Sequence, residues 1–196
     1  MSHDNEAPGT SPAPGEVRLE RWLPGPAERV WAYLTESDMR GRWLAPGEME
    51  LRVGGRVEHR FRHADLSHEK TPPAPYEAYE AGHVMTGTIT RCEPPRLLAY
   101  TWGGGDDESE VTFDIVPQAG GEVLLVVTQR RLRSVRGMAN VAAGWHTHLG
   151  ILLDHLEERP PRGFWSAHAR CEADYAVRLA GAEPAPESST PTPASP

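Results

Sequence analysis

The chain has little of what several protein classes require: cysteine, an excess of positive charge, and long apolar runs. Its 196 residues include only two cysteines, Cys92 and Cys171, which indicate neither a disulfide framework nor a cysteine-ligated metal site. The formal net charge of -8 argues against nucleic-acid binding and against attraction to anionic membranes. No run approaches the roughly 20 apolar residues of a membrane-spanning helix, and no signal-peptide core is present. We therefore expect a cytoplasmic protein that does not insert into a membrane.

The two ends differ in composition from the body of the chain. Residues 1–15 and 181–196 are rich in proline, glycine, serine and acidic residues and contain almost nothing to bury. Such segments do not recover the entropy that ordering costs, so both are predicted to be disordered tails. Residues 16–180 remain as one domain, which is long enough for an ordinary hydrophobic core.

The strongest periodic signal lies in residues 137–158. Apolar side chains recur there at spacings of three and four residues: Val141, Trp145, Leu149, Leu152 and Leu156. This pattern predicts one long amphipathic helix. The three leucines are expected to anchor the helix on a sheet, and Trp145 and His148 are expected to face the space that the sheet leaves open.

Most of the body before this helix alternates between apolar and polar residues, as strands with one buried face do. A first strand is predicted at residues 16–23. Six more strands are predicted, with a hairpin at Gly54-Gly55 between the first two of them. They cover residues 48–53, 56–61, 83–92, 96–102, 109–116 and 122–132. The predicted inner faces are Met85, Gly87 and Ile89; Leu98, Tyr100 and Trp102; Val111, Phe113 and Ile115; and Leu125, Val127 and Gln129.

Three further helices are predicted from local signals. Pro26 suits the first turn of a short helix, and Ser37 is placed to cap a second one. Residues 163–180 are predicted to form an extra C-terminal helix that ends at Gly181. The order of elements predicts an α+β fold, in which a curved antiparallel sheet wraps around the long helix.

Several segments carry a family resemblance through their order and spacing. They are PAERVWAYLT followed by RWLAPG, GGRVEHRF, GTITRCEPPRLLAYTW, SEVTFDIVPQAGGEVLLVVTQ, and GW followed by the three leucines. Over residues 16–158 the chain resembles the START-like (SRPBCC) superfamily, in particular the AHSA-type branch named after the activator of the heat-shock protein ninety ATPase. The resemblance implies a helix-grip fold with a hydrophobic cavity beneath the long helix. Members mostly bind lipids, polyketides, hormones or other apolar small molecules, some catalyse cyclisation or hydrolysis, and the eponymous branch includes co-chaperones.

The chain departs from the pattern of these relatives in three places. The connection at residues 63–82 is unusually long, which is typical of a lid or binding loop or of plain surface decoration. Gln129 stands where relatives often have a histidine. Residues 160–180 extend beyond the usual terminal helix, and they offer either a change at the cavity mouth or a homodimer surface.

The inward positions define a set of candidate ligand contacts. The set is Trp43, Met85, Ile89, Tyr100, Trp102, Phe113, Val127, Gln129, Trp145, His148 and Leu152. Its aromatic members favour a flat, ring-containing guest, because ligand pockets are mostly apolar with a few placed polar groups; ordinary core packing is the alternative for each of them. The amide of Gln129 needs a partner from protein, water or ligand.

Three histidines lie on the predicted long helix. His146 and His148 point about 200° apart and cannot share an ion. His148 and His155 have no cysteine or carboxylate at metal-ligand spacing, so no metal site is predicted. His148 itself has three open roles: a half-buried hydrogen-bonding residue, a ligand contact, or a general base. The sequence has no phosphate loop, nucleophile elbow or metalloprotease motif, and no cofactor is expected.

Three functions stay open at this point. The first is binding of an apolar, ring-containing or lipid-like small molecule between the long helix and the sheet. The second is an enzyme of the polyketide cyclase or hydrolase type, using His148 with Gln129 or Tyr100. The third is a co-chaperone-like module that binds a protein and stimulates a chaperone ATPase. The amphipathic helix and the alternating sheet favour the first.

Overall fold

An antiparallel sheet forms the centre of the computed structural model, which describes residues 4–105 and 108–180. Within these residues the sheet has six strands in the order β1-β6-β5-β4-β3-β2. The strands are β1 (Val17–Pro24), β2 (Arg56–Phe61), β3 (His83–Glu93), β4 (Leu97–Trp102), β5 (Ser109–Pro117) and β6 (Glu122–Arg130). The helices are α1 (Ala27–Thr35), α2 (Ser37–Arg40), α3 (Val135–Leu156) and α4 (Phe164–Ala180). The predicted tail at residues 181–196 lies outside the described residues.

The strand pairing places the predicted inner faces together. Val111 pairs with Gln129, Phe113 with Val127 and Ile115 with Leu125 between β5 and β6. Nine of the predicted inward residues are at most 1% exposed: Ile89, Leu98, Tyr100, Val111, Phe113, Ile115, Leu125, Val127 and Gln129. Since a strand alternates its side chains between two faces, this burial fixes the register of the sheet.

The long helix α3 begins at Val135 because the Ser134 side chain accepts a hydrogen bond from Gly137 N at 3.0 Å. It ends at Leu156, so the helix lies two residues earlier in the sequence than predicted, at each end. The three predicted anchors, Leu149, Leu152 and Leu156, are at most 2% exposed. The predicted α+β helix-grip fold, with two short helices after the first strand and an extra C-terminal helix, is confirmed.

The strand predicted at residues 48–53 does not form. Only Met49 makes a bridge, to Val57. The chain turns directly afterwards, since Arg52 N donates to Glu50 O at 2.7 Å and Gly55 N donates to Arg52 O at 2.9 Å. The residues that would have extended the strand form this turn instead. They alternate between polar and apolar types, as the residues of a strand do.

The N-terminal segment, residues 4–10, runs along the outer side of β1 and is bonded to it. Disorder was expected for residues 1–15, so the structure differs from the expectation in this segment. Thr10 and Arg18 exchange two backbone hydrogen bonds of 2.8 and 2.9 Å. The Asn5 side chain bonds both the N–H and the carbonyl oxygen of Trp22. Composition misses this arrangement because directed hydrogen bonds, rather than apolar burial, hold the segment.

Helix α4 packs along α3, and a buried ion pair joins the two. Arg162, which precedes α4, donates to Asp154 Oδ2 at 2.8 Å and to Asp154 Oδ1 at 3.1 Å. It also donates to Glu6 Oε1 at 2.8 Å, so the N-terminal segment, α3 and α4 meet at one guanidinium group. In the described part of the chain, no helix has both the length and the apolar character needed to cross a membrane.

Candidate ligand-binding cleft

A cleft of about 1070 Å³ lies between the first half of α3, helix α4 and the loop at residues 63–82. The loop contributes His63, Tyr76 and Tyr79, and α4 contributes Phe164, Trp165, His168 and Glu172. The sheet closes the third side with Met85, Trp102 and Gln129. Ligand pockets for small molecules commonly occupy about 300–1,000 Å³, so this cleft has the size to admit one.

Five of the eleven predicted ligand contacts line this cleft: Met85, Trp102, Gln129, Trp145 and His148. The other six are packed in the core and are each at most 1% exposed: Trp43, Ile89, Tyr100, Phe113, Val127 and Leu152. The space directly beneath Trp145 is filled by other rings. The centroid of the Trp145 ring lies 5.0 Å from that of Trp102 and 5.4 Å from that of Phe113. The cleft is therefore displaced from the centre of the sheet toward α4 and the loop.

The buried amide of Gln129 is satisfied by the protein itself. Its oxygen accepts from Trp145 Nε1 at 2.6 Å, and its nitrogen donates to Ser109 Oγ at 2.8 Å. Ser109 Oγ in turn donates to the carbonyl oxygen of Trp102 at 3.1 Å. This chain of bonds fixes the Trp145 indole against the sheet, so Gln129 positions a cleft wall.

His148 is held in one tautomer by the backbone. Its Nδ1 lies 2.6 Å from the carbonyl oxygen of Trp43, which can only accept, so Nδ1 carries the proton. Burial, followed by the neighbouring His63, lowers the pKa of His148 to about 3. The ring is neutral at pH 7, with a lone pair on Nε2. Because a general base works best with a pKa near the operating pH, this environment favours a hydrogen-bonding role over proton abstraction.

Stacked rings form the wall of the cleft at the α4 end. The Phe164 ring lies 4.4 Å from the His63 ring at an interplanar angle of 26°, and it meets the Trp165 ring edge-on at 4.9 Å. Tyr76 stacks on the other side of Trp165 at 5.6 Å. Offset and edge-to-face contacts of this kind stabilise aromatic clusters beyond simple burial.

This aromatic wall was missed by sequence reasoning. Trp165, Ala169, Glu172, Ala173 and Ala176 all line the cleft and recur at helical spacing. That spacing was visible in the sequence as a stripe of small residues beside one aromatic residue. Nothing local showed that the stripe faces α3 and the loop, because the partners of α4 are distant in the sequence.

Three buried nitrogen atoms at the α4 end of the cleft have no hydrogen-bond partner among the residues that the structure describes. They are His63 Nδ1, Trp165 Nε1 and His168 Nδ1. Burial, then His83 and His168, lowers the pKa of His63 to about 4, and burial also lowers the pKa of His168. Over residues 4–105 and 108–180, no group of three or more His, Cys, Asp or Glu side chains could hold a metal ion.

Comparison with known proteins places this fold in a family. A family model described as activator of Hsp90 ATPase homolog 1-like protein matches residues 24–157, and no curated protein matches the chain. The chain is similar to a Bordetella parapertussis protein solved in solution by NMR, with 44% identity and a TM-score of 0.73. That match covers 91% of this chain and 95% of the other, and so reaches beyond the residues of the family model.

Two more distant structures share the fold. CalU16 from Micromonospora echinospora is 21% identical with a TM-score of 0.62, and the match covers 84% of this chain and 88% of that one. A conserved protein of unknown function from Enterococcus faecalis is 22% identical with a TM-score of 0.63, over 86% of each chain. The family model covers more than half of the sequence, and the elements that it spans fold as its members do. The chain belongs to the family of activator of Hsp90 ATPase homolog 1-like proteins, a branch of the START-like superfamily.

Proposed function

We propose that the protein binds an apolar, ring-containing small molecule in the cleft between α3, α4 and the 63–82 loop. The observation that carries this proposal is the cleft itself, which has a volume of about 1070 Å³ and aromatic walls on two sides. Trp102 of β4 and Trp145 of α3 form one wall, and Phe164 and Trp165 of α4 form the other. Flat aromatic walls favour flat guests, because ring faces and edges attract one another at 4.5–7 Å.

The polar groups of the cleft support binding rather than catalysis. The pKa of His148 is about 3, so its Nε2 lone pair is a weak base at pH 7, and the amide oxygen and nitrogen of Gln129 already bond to Trp145 and Ser109. This environment disfavours proton abstraction from a substrate by His148. The cleft thus supplies shape, ring contacts and a few hydrogen bonds, which is what recognition of an apolar ligand requires.

Gly144 gives direct experimental access to the cleft. It lies on α3 in the cleft wall, and a Cβ built on it meets no atom within 4 Å. A phenylalanine at this position would occupy the cleft without displacing packed side chains. Gly104, in the turn after β4, also has nothing within 4 Å of its Cβ and lies outside the cleft, so Gly104→Phe is the matched control.

Equilibrium dialysis with 2-ethylnaphthalene and with 1-dodecanol tests the proposal. Each probe has twelve carbon atoms, but only the first has rings. If each heavy atom contributes roughly 0.5 kcal/mol of binding free energy, the ring probe should bind the native protein with a Kd of about 40 μM. Gly144→Phe should weaken this binding at least tenfold, and Gly104→Phe should leave it unchanged. Tighter binding of 1-dodecanol would reassign the cleft to lipid chains, and the absence of saturable binding by either probe would refute the proposed function.

A further inference from the structure

The α4 end of the cleft contains buried polar atoms that have no hydrogen-bond partner within the described part of the chain. Buried polar groups in folded proteins are almost always hydrogen-bonded, and each unsatisfied one carries a penalty. Here three such nitrogens, from His63, Trp165 and His168, belong to side chains that line the same cleft. Their rings surround Phe164, at 4.4 Å for His63, 4.9 Å for Trp165 and 5.8 Å for His168. The free-energy cost of these three unpaired nitrogens thus falls at one end of the cleft.

Trp165 determines what kind of group can relieve this penalty. Its side chain is only 4% exposed, and its Nε1 has no hydrogen-bond partner among residues 4–105 and 108–180. An indole N–H can donate a hydrogen bond but cannot accept one. A ligand group that reaches Trp165 Nε1 must therefore be an acceptor. The two histidines are less restrictive, because a neutral imidazole can place its proton on either nitrogen.

The charges around this end argue against an anionic acceptor. His63 and His168 are neutral at pH 7, because burial lowers the pKa of each ring. The carboxylate of Glu172 lines the same part of the cleft and accepts a hydrogen bond from Tyr76. A ligand carboxylate at this end would lie near this negative charge and would lose its hydration. The arginine in the cleft lining, Arg136, is at the start of α3 and is exposed.

We propose that Trp165, with His63 and His168, forms a hydrogen-bonding end of the cleft that selects an uncharged acceptor on the ligand, such as the oxygen of an aromatic ketone. This inference rests on the proposed function and specifies the ligand class of the same cleft. Trp165 is the specificity-determining residue. It lies on α4, outside residues 24–157, which are the residues that the family model matches.

Three probes of nearly equal shape test this selection: 2-ethylnaphthalene, 2-acetylnaphthalene and 2-naphthoate. Each is titrated by equilibrium dialysis against the native protein, Trp165→Phe and Trp22→Phe. Phenylalanine keeps a ring at position 165 and removes the N–H. Trp22 is on β1, away from the cleft lining, and serves as the matched control. Thermal unfolding without ligand checks that each variant is folded.

Both probes lose the same ring contact in Trp165→Phe, so the indole N–H is read from their difference: binding of 2-acetylnaphthalene should weaken by roughly three- to tenfold more than binding of 2-ethylnaphthalene, the usual range for one hydrogen bond. Trp22→Phe should affect neither probe, and 2-naphthoate should bind at least tenfold more weakly than the ketone. An equal effect of Trp165→Phe on ethyl and acetyl probes, or no effect on either, would overturn the role of the indole N–H. Tighter binding of 2-naphthoate would overturn the preference for an uncharged group. If no probe binds at all, the proposed function fails as well, so the two failures are distinguishable.

Discussion

Replacing Gly150 by alanine is expected to destabilise the protein, because a methyl group there overlaps the guanidinium group of Arg162. A Cβ built on Gly150 would lie 2.6 Å from Arg162 Nη1 and 2.7 Å from its Cζ. The guanidinium group is held in place by two hydrogen bonds to the Asp154 carboxylate and one to Glu6. Asp154 is 2% exposed, so moving Arg162 leaves a buried carboxylate short of partners.

The magnitude follows from two opposing contributions. Alanine stabilises a helix interior by about 1 kcal/mol relative to glycine. Breaking a buried ion pair costs about 3–5 kcal/mol. We take the lower part of that range, since the Arg162 side chain is 22% exposed and Arg159 keeps a bond to Asp154 at 2.9 Å. The net loss for Gly150→Ala is therefore about 2–3 kcal/mol. Gly144→Ala, on the same helix but facing open space, should instead gain about 0.5–1 kcal/mol.

Urea unfolding followed by circular dichroism measures both variants against the native protein. The expected midpoints rank Gly144→Ala above the native protein and Gly150→Ala below it, with equal m-values. Burial raises the pKa of Asp154, but the bonds from Arg162 outweigh burial and keep the pKa below 3.8. The stability that this lowered pKa provides is present above pH 3.8 and is lost as the pH falls through the folded-state pKa. The deficit of Gly150→Ala should thus be full at pH 7 and shrink below about pH 4. Equal stability of the two alanine variants at pH 7 would refute the proposed displacement of Arg162.

Two further predictions concern buried basic side chains, two neutral histidines and one arginine. Burial lowers the pKa of both His59 and His148 to about 3. Between pH 6.5 and 3 the unfolded chain therefore binds protons that the folded protein does not, and lowering the pH from 7 to 5 should reduce the free energy of unfolding by at least about 2 kcal/mol; an unchanged urea midpoint would contradict the burial of neutral rings. Arg40 is 1% exposed and donates to five backbone carbonyl groups, so Arg40→Met should cost about 3 kcal/mol or more in a urea titration. Arg42→Met, at an exposed neighbouring position, should change stability by less than about 0.5 kcal/mol, and equal effects of the two substitutions would exclude a structural role for the Arg40 contacts.

The sequence predicted those parts of the fold that depend on which side of an element is buried. The stripe through Leu149, Leu152 and Leu156 located α3 to within two residues, and the alternation of Val111, Phe113 and Ile115 gave the inner face of β5. Both patterns are local consequences of one buried face. The segment at residues 48–53 shows the limit of this reasoning. It alternates equally well, but the backbone turns of residues 50–55 end the strand pairing after Met49.

The candidate site was less predictable, because side-chain volumes and distant contacts decide where space remains. Ile89, Tyr100 and Phe113 point inward as expected, but they fill the volume that was assigned to a ligand. The partner of His148 is a carbonyl oxygen 105 residues away in the sequence. The contribution of Trp165 required knowing that α4 folds back along α3. Periodicity indicates that a side chain is buried, but not what it is buried against.

The N-terminal segment has a consequence for how the sheet meets other molecules. Strand β1 is an edge strand, and its outward backbone groups would otherwise be open to pairing with a strand of another chain. The backbone of Thr10 bonds the N–H and the carbonyl oxygen of Arg18, and the Asn5 side chain bonds the same two groups of Trp22. Between them, Arg21 Nη1 donates to the carbonyl oxygen of Glu20. At the opposite edge, residues 46–50 occupy the outer side of β2 in the same irregular way. Both edges are therefore closed by backbone that is too short and too bent to serve as a template, which protects the sheet against edge-to-edge aggregation.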